Sequence, residues 1–508
     1  MSRRFFCLFL AICCCGACRK PSQEVEPNDD AAHANPLSPN GGIEGTISSA
    51  NDEDWYKVSI PQDSGILNLH VAGIKTVDFV LSFRDKDLRE LKRIDETGEG
   101  GDEEALDLGV ERGDYYVVLS NKNPQADNPT QKYLLTATLE SDIGREREPN
   151  DTALTASPMV VNGVTRGHYY PTTAEEDWFH VDANEPGNFI LNLDCSGVPG
   201  VAPVLEVYDA NEYKLKEVSA NNGEGLSLKD FGVHAPQKLF FRLHARGARM
   251  GNPDVFYEIL TELLPDNGTT ESEPNDQRQD ATPFARDAIT GFIAPAGDAD
   301  WFRINPSTGT KQILRADLSA VPGMDLVLTV ADELGRPIVR VDNAGVEAPQ
   351  SLTGLGLSNA MYYLIVSEKT GKLSDTRHSY TLTKSFVPWQ PGLEWEPNDT
   401  PATAQTIKVG ESVDGYLAPK GDVDFYEFNV YQKSSVLIEV TGLINVRWKA
   451  ELFDQDGRSL QVLTAAKPGE GISFERALTP GTYQLKLQGT DPGQNNVRDK
   501  YTLRIRAR

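Results

Sequence analysis

Four stretches of this chain repeat one acidic pattern, Glu-x-Glu-Pro-Asn-Asp. They read EVEPND from residue 24, EREPND from residue 146, ESEPND from residue 271 and EWEPND from residue 394. In an extended segment, side chains two positions apart point to the same face, so the two glutamates of a motif lie side by side. The proline disfavours a helix here, and the Asn and Asp that follow it favour a turn. Each motif therefore gathers four oxygen-bearing side chains.

A second acidic cluster follows each motif, 22 to 24 residues after its last Asp. The first cluster is NDEDWYKV from residue 51, and its counterparts are AEEDWFHV from 174, GDADWFRI from 297 and GDVDFYEF from 421. Each cluster stands at the head of a predicted strand, where alternate carboxylates again share one face. In the first copy, six side chains can therefore converge from two segments: Glu24, Glu26, Asn28, Asp29, Asp52 and Asp54.

Such a concentration of anions is unfavourable unless a cation compensates their charge. Ca²⁺ accepts six to eight oxygen ligands in flexible geometry. Zn²⁺ and copper favour His or Cys as ligands, and none of the predicted ligand positions is a His or a Cys. The pattern therefore predicts a calcium site. The alternative is a solvated capping turn, in which the Asn and Asp side chains bond to backbone amides.

The segments around the acidic clusters have the alternation of half-buried strands. Runs such as GILNLHV, FILNLDC, QILRADL and SVLIEVT place apolar residues at every second position. Turn residues interrupt these runs at short intervals, and no segment shows a sustained helical stripe. The second glutamates of the motifs stand at 26, 148, 273 and 396, which gives periods of 122, 125 and 123 residues. We therefore predict an all-β chain of four tandem antiparallel β-sandwich domains, and we expect these closely spaced domains to touch.

The motif, the acidic cluster with its aromatic pair and the Tyr-rich closing strands together resemble the bacterial pre-peptidase C-terminal domain. That family includes the calcium-dependent collagen-binding domains of clostridial collagenases. The resemblance covers residues 24–140, 146–264, 271–386 and 394–508, which we call the first to fourth modules. It implies jelly-roll-like sandwiches that bind Ca²⁺, up to one ion in each module.

Carried across residue by residue, the resemblance implies one set of calcium ligands in each module. The sets are Glu24, Glu26, Asn28, Asp29, Asp52 and Asp54; Glu146, Glu148, Asn150, Asp151, Glu175 and Asp177; Glu271, Glu273, Asn275, Asp276, Asp298 and Asp300; and Glu394, Glu396, Asn398, Asp399, Asp422 and Asp424. The second set departs from the others because it has Glu175 where they have Asp, in a longer loop.

An aromatic pair follows each acidic cluster, and strand alternation turns its second member towards the core. The first member therefore lies on the polar face; these residues are Trp55, Trp178, Trp301 and Phe425. One interpretation is that the ring packs under the acidic segment and fixes it to the sheet. The other is an exposed aromatic platform that binds a sugar ring or an extended peptide.

The first 18 residues, MSRRFFCLFLAICCCGAC, have the composition of an export signal. Two arginines precede an apolar run that is too short to span a bilayer comfortably. Small residues then precede Cys18, as in a bacterial lipoprotein signal, so we expect Cys18 to carry the lipid anchor and residues 19–23 to form a tether. An ordinary secretory signal is the alternative. The expected location is the cell envelope, periplasmic or surface-facing, and Arg19 favours the outer membrane.

Charge and composition restrict the function. The chain has 49 Lys and Arg against 75 Asp and Glu, a net charge of −26, which disfavours a nucleic-acid partner. Cys195 is the one cysteine after residue 18, and its alternating position predicts a core residue. The seven His are scattered, and no HExxH, GxSxG or P-loop motif occurs.

We therefore expect a non-catalytic exported lipoprotein that binds extracellular or envelope protein or polysaccharide, as in adhesion or matrix binding. Two alternatives remain open. One is a structural spacer or scaffold without a ligand of its own, and the other is a hydrolase with an unrecognised acidic site.

Overall fold

The computed structural model describes residues 20–171, 176–247, 250–306, 310–358 and 360–508. Cys18 and Glu175 lie outside these residues. Within them the chain is built from antiparallel sheets with two three-residue 3-10 helices, Ala153–Thr155 and Pro401–Thr403, which confirms the all-β prediction. No helix among the described residues has the length and apolar character needed to cross a membrane.

The described residues divide into two compact units. The first unit contains the first module and most of the second, and the other contains the remaining segments of the second module with the third and fourth modules.

The first module contains eight strands in one hydrogen-bonded sheet, with the order β1-β3-β8-β4-β7-β5-β6 and with β2 beside β4. They are β1 (Ser22–Gln23), β2 (Asn35–Leu37), β3 (Gly41–Ile47), β4 (Glu53–Val71), β5 (Phe79–Arg84), β6 (Glu90–Ile94), β7 (Glu103–Asn121) and β8 (Asn128–Glu140). Strands β4 and β7 are 19 residues long, and their first and second halves pair with different neighbours. These two strands therefore belong to both layers of the sandwich.

The second module has the strand order β10-β15-β11-β14-β12-β13, with β9 beside β11. Its strands are β9 (Ser157–Pro158), β10 (Gly163–Tyr169), β11 (Asp177–Cys195), β12 (Pro203–Tyr208), β13 (Lys214–Ser219), β14 (Leu226–Ala245) and β15 (Asn252–Pro265).

The third and fourth modules each form two separate sheets of five and four strands. The third has the orders β16-β18-β23-β20-β21 and β17-β24-β19-β22. Its strands are β16 (Thr282–Pro283), β17 (Ala288–Ile293), β18 (Ala299–Ile304), β19 (Gln312–Leu318), β20 (Leu326–Ala331), β21 (Pro337–Val341), β22 (Gln350–Leu357), β23 (Tyr362–Glu368) and β24 (Asp375–Pro388).

The fourth module repeats this arrangement with the orders β25-β27-β32-β29-β30 and β26-β33-β28-β31. Its strands are β25 (Gln405–Thr406), β26 (Ser412–Leu417), β27 (Val423–Val430), β28 (Ser434–Val440), β29 (Trp448–Asp454), β30 (Ser459–Thr464), β31 (Ile472–Leu478), β32 (Gly481–Gly489) and β33 (Asn496–Ala507).

The core of each sandwich comes from the predicted alternation. On β27, Tyr426, Phe428 and Val430 are buried between the layers, and they join Trp448 in one apolar cluster. The first and third modules have equivalent clusters of their own. Each of these three modules therefore has its own hydrophobic core, as expected of a module that buries its apolar surface without help from its neighbours.

Each later motif docks on a strand of the preceding module. The backbone of Glu148 pairs with Leu108, that of Glu273 with Phe231 and that of Glu396 with Leu355. A backbone amide one residue further along the strand donates to the glutamate carbonyl at 2.7–2.8 Å; these donors are Gly109, Gly232 and Gly356. The expected contact between neighbouring modules is thus a short stretch of β-sheet.

The receiving strand is irregular at the joint. In the first module the receiving strand is β7, and its pairing with β4 shifts register between Leu67 and Leu69 of β4. In the third module the receiving strand is β22, and its pairing with β19 shifts register between Leu314 and Ala316 of β19. The residue at the irregularity has a positive φ at every joint: 55° for Asp107, 53° for Asp230 and 88° for Gly354. Such a β-bulge turns backbone groups out of the ladder, where the incoming motif can bond to them.

The joint glycines predict a matched pair of variants. A Cβ on Gly356 would overlap the Trp395 ring and approach the Glu396 carbonyl to 2.9 Å. We therefore expect Gly356→Ala to destabilise the joint by about 1–3 kcal/mol. Urea unfolding followed by tryptophan fluorescence measures this change, because Trp389 and Trp395 lie edge to face at the joint.

Gly345→Ala is the control, since no heavy atom lies within 4 Å of a Cβ placed there. Equal unfolding midpoints for the two variants would contradict the docking of this strand.

Candidate metal centre

The fourth module shows the acidic cluster most completely. Carboxylate oxygens of Glu394, Glu396 and Asp424 lie within 4.8 Å of one another, and all three residues are buried. The Tyr501 hydroxyl lies 2.8 Å from both Glu394 Oε1 and Asp424 Oδ2, and the Tyr426 hydroxyl lies 2.7 Å from Glu394 Oε1. The two segments predicted to converge do meet, and tyrosine hydroxyls bridge them.

Three oxygens of this cluster are buried without a hydrogen-bond partner. They are Glu396 Oε1, Asn398 Oδ1 and Asp424 Oδ1. Glu396 also lines a cavity of about 140 Å³, together with Asp399 and Asp422. Buried oxygens without partners are costly, and a bound cation would remove that cost.

Burial and mutual repulsion both oppose ionisation of these carboxyls. Burial raises the pKa of Glu396, and the charges of Asp422 and Glu394 raise it further. Burial, followed by the charges of Glu394 and Asp422, likewise raises the pKa of Asp424. A divalent cation would reverse both effects because it favours the charged carboxylates.

The same backbone contacts position the cluster in every module. The first aromatic of each pair donates its amide to the carbonyl of the motif Asn, at 3.0 Å from Trp55 to Asn28, 2.9 Å from Trp178 to Asn150, 3.1 Å from Trp301 to Asn275 and 3.0 Å from Phe425 to Asn398. The first glutamate accepts a backbone amide from the strand after the motif, as Glu394 does from Tyr416 at 2.8 Å. These bonds hold the two acidic segments together.

The third module brings its predicted ligands together in two overlapping groups. One contains Glu271, Glu273 and Asp300, and the other contains Glu273, Asp276 and Asp298. Asn275 Nδ2 lies 3.4 Å from Glu271 Oε2. Burial raises the pKa of Asp300, and the charges of Glu271 and Asp298 raise it further. The structure therefore places all six sequence-predicted residues near one another.

The first module forms a more open cluster. Glu24, Glu26 and Asp54 come within 4.8 Å of one another, but Glu26 is exposed. Burial, followed by the charge of Glu24, raises the pKa of Asp54 to about 9. Asn28 is buried beside this cluster, Asp52 accepts the Ser48 amide, and Asp29 is exposed.

The second module differs because basic groups enter its cluster. Tyr257 bridges Glu146 and Asp177 at 2.6 and 2.8 Å, as its counterparts do elsewhere. Glu148, however, forms an ion pair with Lys92 Nζ at 3.1 Å, and the same ammonium lies 3.9 Å from Asp151.

Two further basic side chains meet a buried carboxylate beside this cluster. Asp107, at the bulge of the first module, bonds to Arg145 and to His168. Burial opposes ionisation of Asp107, but the hydrogen bond and charge of His168, with the charge of Arg145, outweigh it and lower the pKa of this carboxyl. Basic side chains therefore pair with Glu148 and Asp107 at the joint between the first two modules, while burial still raises the pKa of Glu146 and of Asp177.

The first aromatic of each pair lies against the sheet. The side chains of Trp55, Trp178 and Phe425 are buried, and Trp301 is half-buried. Rings from neighbouring parts of the sheet pack on the tryptophans; Tyr116 lies 6.1 Å from Trp55 and Tyr208 5.1 Å from Trp178 between centroids. Phe425 lines a cavity. This placement matches the interpretation in which the aromatic residue fixes the acidic segment, and its backbone amide makes the direct bond.

Sequence reasoning missed the bridging tyrosines, Tyr133, Tyr257, Tyr380 and Tyr501. It also missed the glycines under the first glutamate, Gly45, Gly167, Gly291 and Gly415, where a Cβ would overlap the carboxylate. Both sets recur at fixed places in the four copies, so alignment of the repeats would have found them.

No family model matches the chain. Among solved structures, the chain is similar to the pre-peptidase C-terminal domain of a collagenase from Bacillus anthracis, with 23% identity, 20% of this chain and 94% of that chain covered, and a TM-score of 0.18. A β-glucosidase from Paenibacillus barengoltzii shares 15% identity over 21% of this chain and 12% of its own, with a TM-score of 0.14.

The triple jelly roll protein of an archaeal virus turret shares 10% identity over 68% of this chain and 89% of its own, with a TM-score of 0.20. At these identities and TM-scores the similarities assign neither a family nor a function.

The tyrosine bridge predicts a stability effect. Tyr501→Phe removes the donor shared by two buried carboxylates, so we expect a loss of about 1–3 kcal/mol in unfolding free energy, measured in chelator. Tyr431→Phe is the control because Tyr431 is 88% exposed in the same module. An unchanged urea midpoint for Tyr501→Phe would show that the bridge contributes nothing.

The raised carboxyl pKa values predict an unusual pH dependence. A carboxyl whose pKa is higher in the folded protein retains its proton on folding, so its stabilising contribution is complete at low pH and is lost as the pH rises. For Asp54 this window runs from the ordinary value of 3.8 to about 9. In chelator, we expect the wild type to lose stability relative to Asp54→Asn as the pH rises through this window. Denaturant unfolding at several pH values measures the difference, and a constant difference would refute it.

Proposed function

We propose that this chain is a non-catalytic, exported and lipid-anchored array of four β-sandwich modules that binds Ca²⁺ at the Glu-x-Glu-Pro-Asn-Asp clusters. The observation that carries the proposal is the set of three buried oxygens without partners in the fourth module. One of them belongs to Glu396, which also lines a cavity with two further carboxylates, Asp399 and Asp422. An all-oxygen, strongly anionic site of this kind suits Ca²⁺ better than Zn²⁺ or copper.

The position of the cluster indicates what calcium would do. The backbone of Glu396 pairs with the third module, and the carboxylate of the same residue belongs to the acidic cluster. An ion that holds the carboxylate also holds the joint. Calcium would therefore stiffen the array, and the stiffened array would present its sheet faces and edges to an extracellular or envelope protein or polysaccharide.

A spacer or scaffold is the second candidate function, and one observation favours it. Three of the four aromatic rings that would form a binding platform, Trp55, Trp178 and Trp301, pack against tyrosine rings of the same module. The joints, by contrast, are built from paired backbone and buried charge. Glycan and collagen arrays probed with the full chain, with and without calcium, distinguish a ligand-binding array from a spacer.

The proposal of a non-catalytic protein is supported by the state of the reactive side chains. Burial raises the pKa of the Cys195 thiol to about 12, which keeps it protonated and unreactive. The clustered carboxylates repeat in four copies, which one cation site per module explains better than four active sites.

Calcium titration of the full chain tests the proposed function. We expect Glu396→Gln and Asp424→Asn each to lower the calcium stoichiometry by one, because each removes a charged ligand of the fourth site. For a dissociation constant of about 10⁻⁴–10⁻³ M, calcium at about 10 mM would add about 1.4–2.7 kcal/mol of stability at each site.

Asp456→Asn, on an exposed loop of the same module, should leave the calcium count unchanged. A wild-type chain that takes up no calcium in the millimolar range, and that melts identically with and without chelator, would disprove the proposal.

A further inference from the structure

Two joints of the array can be compared atom for atom, because the motif docks on them in the same way. Gly109 N donates to the Glu148 carbonyl at 2.8 Å where the first module meets the second. Gly356 N donates to the Glu396 carbonyl at 2.8 Å where the third meets the fourth. Side chains at equivalent positions of the receiving modules therefore face equivalent parts of the two acidic clusters.

At the first of these joints the receiving module supplies a lysine. Lys92 stands on β6, opposite Phe83 of β5. Its ammonium lies 3.1 Å from Glu148 Oε2, and the two side chains are 15% and 1% exposed. The same ammonium lies 3.9 Å from Asp151 and 5.8 Å from the centre of the Tyr170 ring. Lys92 thus brings a positive charge into the predicted calcium ligands of the second module.

At the other joint the equivalent residue is apolar. Val339 stands on β21, opposite Val330 of β20, the same place in the sheet as Lys92. With its neighbour Ile338 it lines the 140 Å³ cavity, beside Glu396 and Asp422. Among the described residues, no ion pair joins a Lys or Arg to the acidic ligands of the fourth module.

The bulge residue shows the same contrast. Asp107 is held by Arg145 and His168 at the first joint, whereas the bulge at the other joint is Gly354, which has no side chain. Basic side chains therefore compensate the acidic cluster at one joint. At the other, the cluster borders a cavity that Lys420 also lines, and no ion pair to its acidic ligands is found among the described residues. Buried oxygens without partners remain in both clusters, on Asn150 and Asp177 as on Asn398 and Asp424.

We propose that Lys92, supplied by the first module, takes the place of a divalent cation at the acidic cluster of the second module. The inference rests on the proposed calcium function and deepens it. The joint between the first two modules is then stabilised by the ammonium group of Lys92 and needs no calcium. The joint between the third and fourth modules keeps its site open and responds to calcium.

Reciprocal substitutions in the full chain test the inference by calorimetric titration with calcium chloride. Lys92→Met removes the ammonium and keeps most of the side-chain volume, so we expect it to bind one more Ca²⁺ per chain than the wild type. Val339→Lys places an ammonium at the equivalent position, and we expect it to bind one fewer. Lys86→Met, at an exposed position of the first module, is the control and should bind the wild-type number.

Thermal melting supplies a second readout. Lys92→Met should melt below the wild type in chelator and recover in calcium, whereas the wild-type transition that includes the first joint should not respond to calcium. The inference would be overturned if Lys92→Met binds no additional calcium although its circular dichroism spectrum matches that of the wild type and shows that it has folded.

The two proposals fail differently. If the wild type binds no calcium and Lys92→Met binds one ion, the proposed site of the fourth module is overturned and the role of Lys92 is supported. If Glu396→Gln binds one ion fewer than the wild type and Lys92→Met binds the same number as the wild type, only the role of Lys92 is overturned.

Discussion

The burial of several carboxylates at one place is the constraint on which this architecture depends. Two like charges about 4 Å apart repel by about 4 kcal/mol at the effective dielectric of a protein surface, and more when they are buried. A cluster of this kind can persist if protons, basic side chains or a metal ion compensate its charge. The bridging tyrosines hold a glutamate and an aspartate together in every copy, but a neutral hydroxyl adds no positive charge. The compensating charge must come from elsewhere, and this is where the modules differ.

The acidic cluster lies at the joint between two modules, so compensation of its charge is coupled to the docking of these modules. The second glutamate of each of the three later motifs gives its backbone to the preceding module and its carboxylate to the cluster, as Glu396 shows. Any group that neutralises the carboxylate also favours the backbone geometry that pairs the two modules. A flexible linker between complete domains could not couple a cation to the joint in this way.

Much of the fold and part of the site could be predicted from the sequence, because both depend on local periodicity. Alternation placed Tyr426 and Phe428 in the core, and the spacing of two within the motif placed Glu394 and Glu396 on one face. The bridging Tyr501 could not be found in this way, since its partner Asp424 lies 77 residues away and only the sheet brings them together.

The role of Lys92 was equally invisible to sequence reasoning. It reaches the cluster from another module, 56 residues before Glu148, and nothing in ELKRI distinguishes it from a solvated strand lysine. Contacts between modules depend on the geometry of docking, which a single repeat does not encode.

That geometry is set on the receiving strand. The bulge with its positive φ turns a carbonyl and an amide outward, and the following glycine leaves room for the residue between the two glutamates of the motif. This residue is Arg147, Ser272 or Trp395, and it lies directly over Gly109, Gly232 or Gly356. The backbone pairing is thus the same at each joint, while the side chain over the glycine differs in size and charge.

The fourth module provides the internal comparison. Its strand β31 occupies the place of β22 in the sheet but pairs with β28 residue for residue from Ser434–Leu478 to Val440–Ile472, without a shift of register. Ala477 stands where the other modules have the joint glycine, so the outward-turned backbone groups are missing. The same sandwich forms with or without the bulge, so the fold does not require it. The bulge and its glycine occur at each of the three described joints, where the motif bonds to them.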